Sequence, residues 1–414
     1  MANILFVHAN FPGQFLWLAR ELARYPAHVI KALSAANADT RLNERVDGIE
    51  VLHYGAEVTL DRPAQHILSH TETFIRNAAS LALQADALKR GGFYPDVIYT
   101  HTGWGVGAFL HNVFPSAKQI KYCEWYYNRP ETGIRFLRKD QQVERIIADD
   151  LLNLPLLAEL SHADRLIAPT EWQRQQFPPA YRDQITVIPD GLDPTLFERP
   201  LQPSFLLDDG RRLTRDDRIV TYVARGADMF RGFETFVQAI ARLQTQFKDF
   251  HCLIACDTKS YYGPGHGTED HFRDVMQATA LDPQRVHFLG TIDRQRYLGL
   301  LRVSTVHVYL TVPFVLSWSM LEAMAAGCIV VASDTPPVAE FITAGVNGHL
   351  VDFFDADALS DGLACALNES GSATAMREAA RDSVLRRWGM DIAMEAHKDL
   401  LRGLDLMPAS AQVA

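Results

Sequence analysis

Short apolar runs of strand length alternate with stretches of helical spacing along most of the chain. Ile4-Leu5-Phe6-Val7 leads through His8 into the loop Asn10-Phe11-Pro12-Gly13, and helical spacing follows from Phe15 through Leu22. That reads as strand, glycine loop, helix. Val29–Leu33, Ile49–Tyr54, Val97–Thr100, Ile120–Cys123, Arg165–Ala168 and Ile185–Ile188 are further apolar runs, with helical stretches at Glu72–Arg90 and Gln142–Leu160. Around Asp193–Asp217 the texture changes: Pro194, Pro200 and Pro203 precede the charged stretch Asp208–Arg212. The alternation then restarts. Strands are expected at Ile219–Val223, Cys252–Ala255, Val286–Leu289, Val306–Leu310, Ile329–Ala332 and His349–Val351. Helices are expected at Gly232–Phe247 and Glu269–Thr279, and the tail after Ser370 reads as helical to about Leu404, ending in a stretch, Met407–Ala414, polar enough to fray.

Strands alternating with helices imply parallel sheets covered on both faces. At 414 residues the chain suits two such domains. The pattern predicts an α/β fold of two doubly wound, Rossmann-like domains facing across a cleft. Their expected limits are 1–193, a linker at 194–217, 218–385, and a C-terminal helix and tail at 386–414 that packs back towards the N-terminal domain. Ligands of such sheets bind beyond the carboxyl ends of the strands.

Composition removes several classes. Hydrophobic residues make up 48%, enough for two cores and too many for a disordered chain. A formal net charge of -10 argues against nucleic acid as the main partner. The cysteines, Cys123, Cys252, Cys256, Cys328 and Cys365, form no C-x-x-C pair, so neither structural zinc nor a disulfide framework is expected. With no leader pattern at the start and no apolar run long enough to span a bilayer, the expected location is the cytoplasm. Arg129–Lys139 mixes Arg135, Arg138 and Lys139 with Ile134, Phe136 and Leu137. It reads either as a solvated helix face or as a peripheral contact with anionic lipid at the inner face of the membrane.

The densest chemical signal is the segment from Thr311 to Ser333, which reads as loop, helix, strand. The loop before the helix presents backbone N–H groups at a helix N-terminus, a phosphate-binding feature. Glu322, in the first turns of the Ala/Met-rich helix, can reach both hydroxyls of a ribose; the alternative is a solvated helix carboxylate. Arg225 and Arg231, each followed by a glycine, lie after a strand and at a helix start. A guanidinium matches phosphate oxygens bidentately, although arginines at such places also form surface ion pairs.

At these residues the chain resembles the family-4 retaining glycosyltransferases of the GT-B fold. Leu321-Glu322-Ala323-Met324-Ala325 through Ser333 resembles that family's signature, whose Glu holds the nucleotide ribose. Tyr222–Gly226 with Arg231-Gly232 resembles the segment whose two cations grip the donor diphosphate. His287–Gly290 resembles the segment beside the nucleobase, which implicates Phe288 and Leu289. Thr170–Gln173 with Val187–Asp193 resembles the family's interdomain stretch, and Asn10–Phe15 an N-terminal glycine loop of one branch. One departure stands out. The family pattern is Glu-x7-Glu, and Phe314 occupies the first of those two positions. The donor-sugar contact is then expected to move to Ser317, Ser319 or loop amides beside Trp318.

In the N-terminal half, His101 and Glu124 fall just beyond strand ends and are candidates for positioning or deprotonating an acceptor hydroxyl. The structural alternatives are that His101 caps the following helix and that Glu124 pairs with Arg129 or Lys121. Gly13 is read as letting its loop approach the phosphates or acceptor, or as a plain turn glycine. Asp355-Ala356-Asp357 matches a metal-binding D-x-D pattern but opens a helix, so it is read as a cap. Cys252 and Cys256 are read as core.

The resemblance implies an enzyme that moves a sugar from a nucleotide-diphosphate sugar, a UDP-sugar being favoured, to an acceptor hydroxyl with retention. It implies no cofactor and no metal, since Arg225 and Arg231 neutralise the leaving diphosphate. The acceptor belongs to polysaccharide, glycolipid or other glycoconjugate synthesis. A non-catalytic nucleotide-sugar-binding module and a sugar-nucleotide epimerase are the alternatives.

Overall fold

The computed structural model describes residues 2–36, 45–55, 68–127, 132–138, 143–198, 200, 202–263, 266–368 and 372–407. The chain divides into two compact units. One comprises Met1–Arg129, Gln141–Gly191 and Met390–Ala414; the other comprises Pro130–Asp140 and Leu192–Gly389.

The first unit is built on β1 (Asn3–Val7), β2 (Val29–Ala35), β3 (Glu50–Tyr54), β4 (Val97–His101), β5 (Lys118–Tyr122), β6 (Arg165–Ala168) and β7 (Ile185–Val187). Among the described residues these form one parallel sheet in the order β3-β2-β1-β4-β5-β6-β7. Its central strands are near-continuous apolar runs because both faces are covered. Ile4, Phe6, Val97, Tyr99 and Ile120 pack to one side with the helix Leu16–Ala23 and the C-terminal helix Met390–Arg402. Leu5, Val7 and Ile98 pack to the other with the helix Ser69–Arg90. Lys398 on the C-terminal helix pairs with Glu21 at 2.8 Å.

The second unit opens with β8 (Ser204–Leu206) and β9 (Arg212–Thr214), an antiparallel pair. The pair lies within the expected linker, 194–217. Phe205, Leu207 and Leu213 are buried in the unit's core, while Asp208-Asp209-Gly210 makes the turn, with Gly210 at φ +88°. Charged turn residues hid a two-residue alternation. The parallel sheet follows: β10 (Ile219–Gly226), β11 (His251–Asp257), β12 (Val286–Phe288), β13 (Val306–Tyr309), β14 (Ile329–Ser333) and β15 (His349–Val351), in the order β12-β11-β10-β13-β14-β15. Cys252 and Cys256 are buried in its core. The tail is helical but broken at Gly389, into Ser372–Trp388 and Met390–Arg402.

The short helix Gly133–Arg138, although encoded between strands of the first unit, belongs to the second. Ile134, Phe136 and Leu137 pack on that unit's core, Phe136 against Phe353 and Phe354. Its apolar side is thus partly covered by protein. Arg129 and Lys139 lie outside the described residues, as does the tail beyond Met407. Among the described residues no helix is long and apolar enough to cross a membrane.

Candidate functional site

Each sheet has one point where the strand order reverses direction: between β1 and β4 in the first unit, and between β10 and β13 in the second. The loops that diverge there leave a crevice beyond the carboxyl ends, where doubly wound sheets take ligands. Both groups of candidate residues stand at these points.

In the second unit, β10 runs into a 3-10 turn, Met229–Arg231, and then the helix Phe233–Gln246. Gly232 joins them at φ +59°, and a Cβ there would stand 2.8 Å from Leu310. That turn drives Arg231 inward, where it is 8% exposed. Its guanidinium donates to Tyr309 Oη at 2.9 Å, Thr311 Oγ1 at 2.6 Å and the Val315 carbonyl at 3.1 Å. All three partners are neutral, and no carboxylate among the described residues forms an ion pair with it. A buried cation held only by neutral acceptors is a costly arrangement that an anion would relieve. Arg225 is exposed at the end of β10 and lies over the Tyr261 ring, 4.3 Å from its centroid. Asp228 shapes the neighbouring loop: its Oδ1 accepts from the Tyr261 and Tyr262 backbone N–H groups at 2.5 and 2.8 Å. Burial raises the Asp228 carboxyl above its usual range.

The loop after β13 continues the site. Tyr309 Oη also accepts from the Ser317 N–H at 2.8 Å, which ties Arg231 to the start of the helix Trp318–Ala325. Ser317 caps that helix and lies 3.2 Å, Oγ to Oγ, from Ser319. Trp318 packs partly buried against the core. Phe314 takes its place in an aromatic group, 5.4 Å from Phe230 and 5.6 Å from Tyr262 between ring centroids. The position that carries a carboxylate in the resembled pattern is thus an apolar wall beside Arg231.

Glu322 is buried, and it is not the solvated helix residue of the alternative reading. Its Oε2 accepts from the Tyr297 hydroxyl at 2.6 Å and its Oε1 from Arg294 at 2.6 Å. Burial and the adjacent carboxylate push the Tyr297 phenol up, which keeps it a donor. A carboxylate offers about four acceptor directions, so two remain for other donors. Phe288 is 37% exposed on edge strand β12, its ring 5.1 Å from that of Phe272. Leu289 is half-buried against the core.

In the first unit, His8 follows β1, His101 ends β4 and Glu124 lies two residues past β5. The His8 and His101 rings meet edge to face at 4.7 Å. Glu124 Oε1 accepts from Gln14 Nε2 at 2.6 Å, and its Oε2 stands 3.4 Å from His101 Nε2. His101 does cap the turn after β4, accepting from the Gly103 N–H at 3.2 Å. Lys121 is spent elsewhere, on buried Glu159 at 3.3 Å, and is not Glu124's partner. The Glu124 backbone carbonyl accepts from Gln173 at 2.9 Å, so the Thr170–Gln173 stretch props this site. Gly13 has a different reason from the one expected. At φ +46°, a Cβ there would fall 2.3 Å from His8 Cε1, so the glycine is needed for the loop to lie on His8. His8 itself is pushed down to about 3 by burial and by His101, and is neutral.

Asp355 caps its helix, accepting from the Asp357 and Ala358 N–H groups, while Asp357 pairs with Arg242. Among the described residues no group of three His, Cys, Asp or Glu is placed to hold a metal ion.

Two doubly wound parallel sheets, each with a polar cluster at its switch point, define the GT-B class of glycosyltransferase folds. Solved structures agree. Sucrose-phosphate synthase from Thermosynechococcus elongatus superposes with a TM-score of 0.72 at 19% identity, over 98% of this chain and 99% of that one. HepE from Anabaena, solved with UDP and glucose, gives 0.67 at 17% identity, over 97% and 100%. The chain belongs to the family-4 type of glycosyltransferase: residues 28–197 match the model described as glycosyl transferase family 4 group, and residues 208–383 that of glycosyl transferases group 1. Curated relatives include the phosphatidyl-myo-inositol mannosyltransferase of Mycolicibacterium smegmatis, 28% identical over 181 residues, which are 42% of this chain and 41% of that one. The Mycobacterium tuberculosis protein of the same name is 27% identical over 216 residues, 50% of each. The chain thus spans about half the length, or less, of the curated relatives it matches.

Proposed function

We propose that the protein transfers a sugar from a nucleotide-diphosphate sugar, with a UDP-sugar favoured, to an acceptor hydroxyl, with retention at the anomeric carbon. The observation that carries this reading is Arg231, a buried cation at the β10/β13 switch point that forms no ion pair with a carboxylate among the described residues. The diphosphate would take Arg231 and the exposed charge of Arg225. The ribose would take the two remaining acceptor directions of Glu322, and the base would extend towards Phe288 and Leu289. HepE, of the same fold, was solved with UDP, which supports a uridine nucleotide as the first donor to test.

Chemically, the bond between the anomeric carbon and the departing phosphate oxygen breaks, and the acceptor oxygen bonds to that carbon on the same face. The acceptor proton passes to the departing phosphate. The arginines stabilise the negative charge that grows on the leaving diphosphate. That role needs no metal, and the D-x-D pattern is already engaged in helix capping and an ion pair. His101 and Glu124 would position the acceptor hydroxyl. Relatives named as phosphatidyl-myo-inositol mannosyltransferases support a polyol or glycolipid acceptor.

Thermal shift with UDP-, GDP-, ADP- and dTDP-sugars tests the donor half, because a saturating ligand raises stability by mass action. A shift with one of them, lost in Arg231→Met, is expected; no shift with any would refute the reading. A second reading, a binding module without turnover, is favoured by one observation: Phe314, packed against Phe230 and Tyr262, stands where the resembled pattern carries a carboxylate. Donor hydrolysis separates the two, since only a working transferase releases nucleoside diphosphate.

A further inference from the structure

The cluster at the β1/β4 switch point has a direction, and two backbone amides set it. The Asn10 N–H donates to His8 Nδ1 at 2.9 Å, so the His8 proton is on Nε2. Nε2 lies 2.6 Å from Gln14 Oε1 and donates to it. With its oxygen so occupied, Gln14 turns its NH2 to Glu124 Oε1, at 2.6 Å. On the other side, the Gly103 N–H donates to His101 Nδ1, which places that ring's proton on Nε2, 3.4 Å from Glu124 Oε2. Such contacts are often long before substrate binds. The chain of donors from His8 through Gln14 thus ends on Glu124 Oε1, which accepts, and His101 Nε2 faces Glu124 Oε2 without closing a hydrogen bond.

We propose that His8 and Gln14 are positioning residues that hold Glu124 as an acceptor-only carboxylate, and that this carboxylate receives a neutral hydroxyl of the acceptor substrate. Glu124 is 19% exposed and Gln14 is likewise part-buried, while His8 and His101 are buried, so a substrate reaches the carboxylate at the end of the chain with Gln14 beside it. Among the described residues no lysine or arginine forms an ion pair with Glu124, so an anionic group here would meet its negative charge. The acceptor chemistry that fits is a polyol hydroxyl. The neutral form of His8, favoured by its burial, keeps the chain intact through the physiological range. Gly13 belongs to the same device, since only a glycine lets the loop bring Gln14 over His8.

This proposal rests on the acceptor half of the proposed function, and its test is separate from the donor half. Imidazole 15N spectra of the full-length labelled protein at neutral pH are expected to show the Nε2 proton, not an Nδ1 proton, on both His8 and His101. Protonation on Nδ1 of either ring would overturn the chain. With myo-inositol as the probe, binding is expected to perturb the Gln14 side-chain NH2 and to weaken at least tenfold in both Gln14→Leu and Glu124→Gln. The double variant is expected to bind no more weakly than Glu124→Gln alone, because Gln14 acts through Glu124. Additive losses, or inositol binding that ignores Glu124, would overturn the assignment. UDP affinity is expected to stay within twofold in all three variants; a UDP failure in the wild-type protein would instead count against the donor reading.

Discussion

Arg231→Met separates the role of the clamp from its contribution to folding. Methionine roughly keeps the length of the side chain and removes the charge. In the free protein the substitution forfeits three hydrogen bonds, to Tyr309, Thr311 and Val315. At about 1.5–3 kcal/mol each for bonds to a charged group, that is a loss of roughly 5–9 kcal/mol. It also removes a buried cation that no described carboxylate pairs with, whose desolvation costs several kcal/mol. The two effects oppose each other, so stability is expected to fall by less than the three bonds alone would cost. In the complex there is no such cancellation. Two charge-assisted bonds to a diphosphate, at about 1.5–3 kcal/mol each, correspond to roughly two to four powers of ten in turnover per unit substrate. Urea unfolding measures the first quantity, and nucleoside diphosphate release from the preferred donor measures the second. A variant that unfolds much more easily yet retains its ligand-induced stabilisation would refute the reasoning, because Arg231 would then be a structural residue.

Other outcomes follow from the same geometry. Glu322→Gln should abolish the preference for UDP over its 2′,3′-dideoxy analogue, a preference of at least about tenfold in the wild-type protein given about 1.5–3 kcal/mol per charged hydrogen bond; equal affinities in the wild type would contradict the ribose role. Phe314→Glu should lower stability by about 2 kcal/mol, because it places a carboxylate among Phe230 and Tyr262. It should not raise turnover with a common nucleotide sugar, and a gain above tenfold would contradict the aromatic wall. Stability should fall as the pH drops below the ordinary histidine value. Burial holds His8 and His307 near 3 and His397 near 4, so the unfolded chain binds protons that the folded one refuses. Each contributes a loss of up to about 1.4 kcal/mol per pH unit between roughly 6.5 and its folded value; unfolding midpoints that do not change between pH 7 and 5 would contradict that burial. Gly13→Ala should cost about 1–3 kcal/mol in urea unfolding, through its positive φ and its clash with His8; a neutral effect would contradict the loop geometry.

Much of this architecture was legible in the chain because buried parallel strands are written as continuous apolar runs, as at Ile329–Ser333. The hairpin at Ser204–Thr214 was not, because prolines and Asp208-Asp209-Gly210 dominate the local composition and the alternation of Phe205, Leu207 and Leu213 is short. The assignment of Gly133–Arg138 to the second unit rests on tertiary packing that no local pattern encodes. Arg225, Arg231 and Glu322 stood out through adjacent glycines and the helix they open. Their partners did not: Tyr309 and Thr311 read as the end of a strand and its loop, and Arg294 and Tyr297 lie far from Glu322 in sequence. His8 and Gln14 carried only a faint signal, a histidine at a strand end followed by a glycine loop. Their meaning depends on β4 and β5 lying beside β1 in the sheet.

The central claim is that Arg231 is one half of a salt bridge whose other half is a nucleoside diphosphate. A crystal structure of the protein with UDP tests it most directly. The account predicts phosphate oxygens within hydrogen-bond distance of the Arg231 guanidinium and ribose hydroxyls on Glu322. UDP bound at any other place, or a diphosphate that leaves Arg231 on its three neutral partners alone, would contradict it.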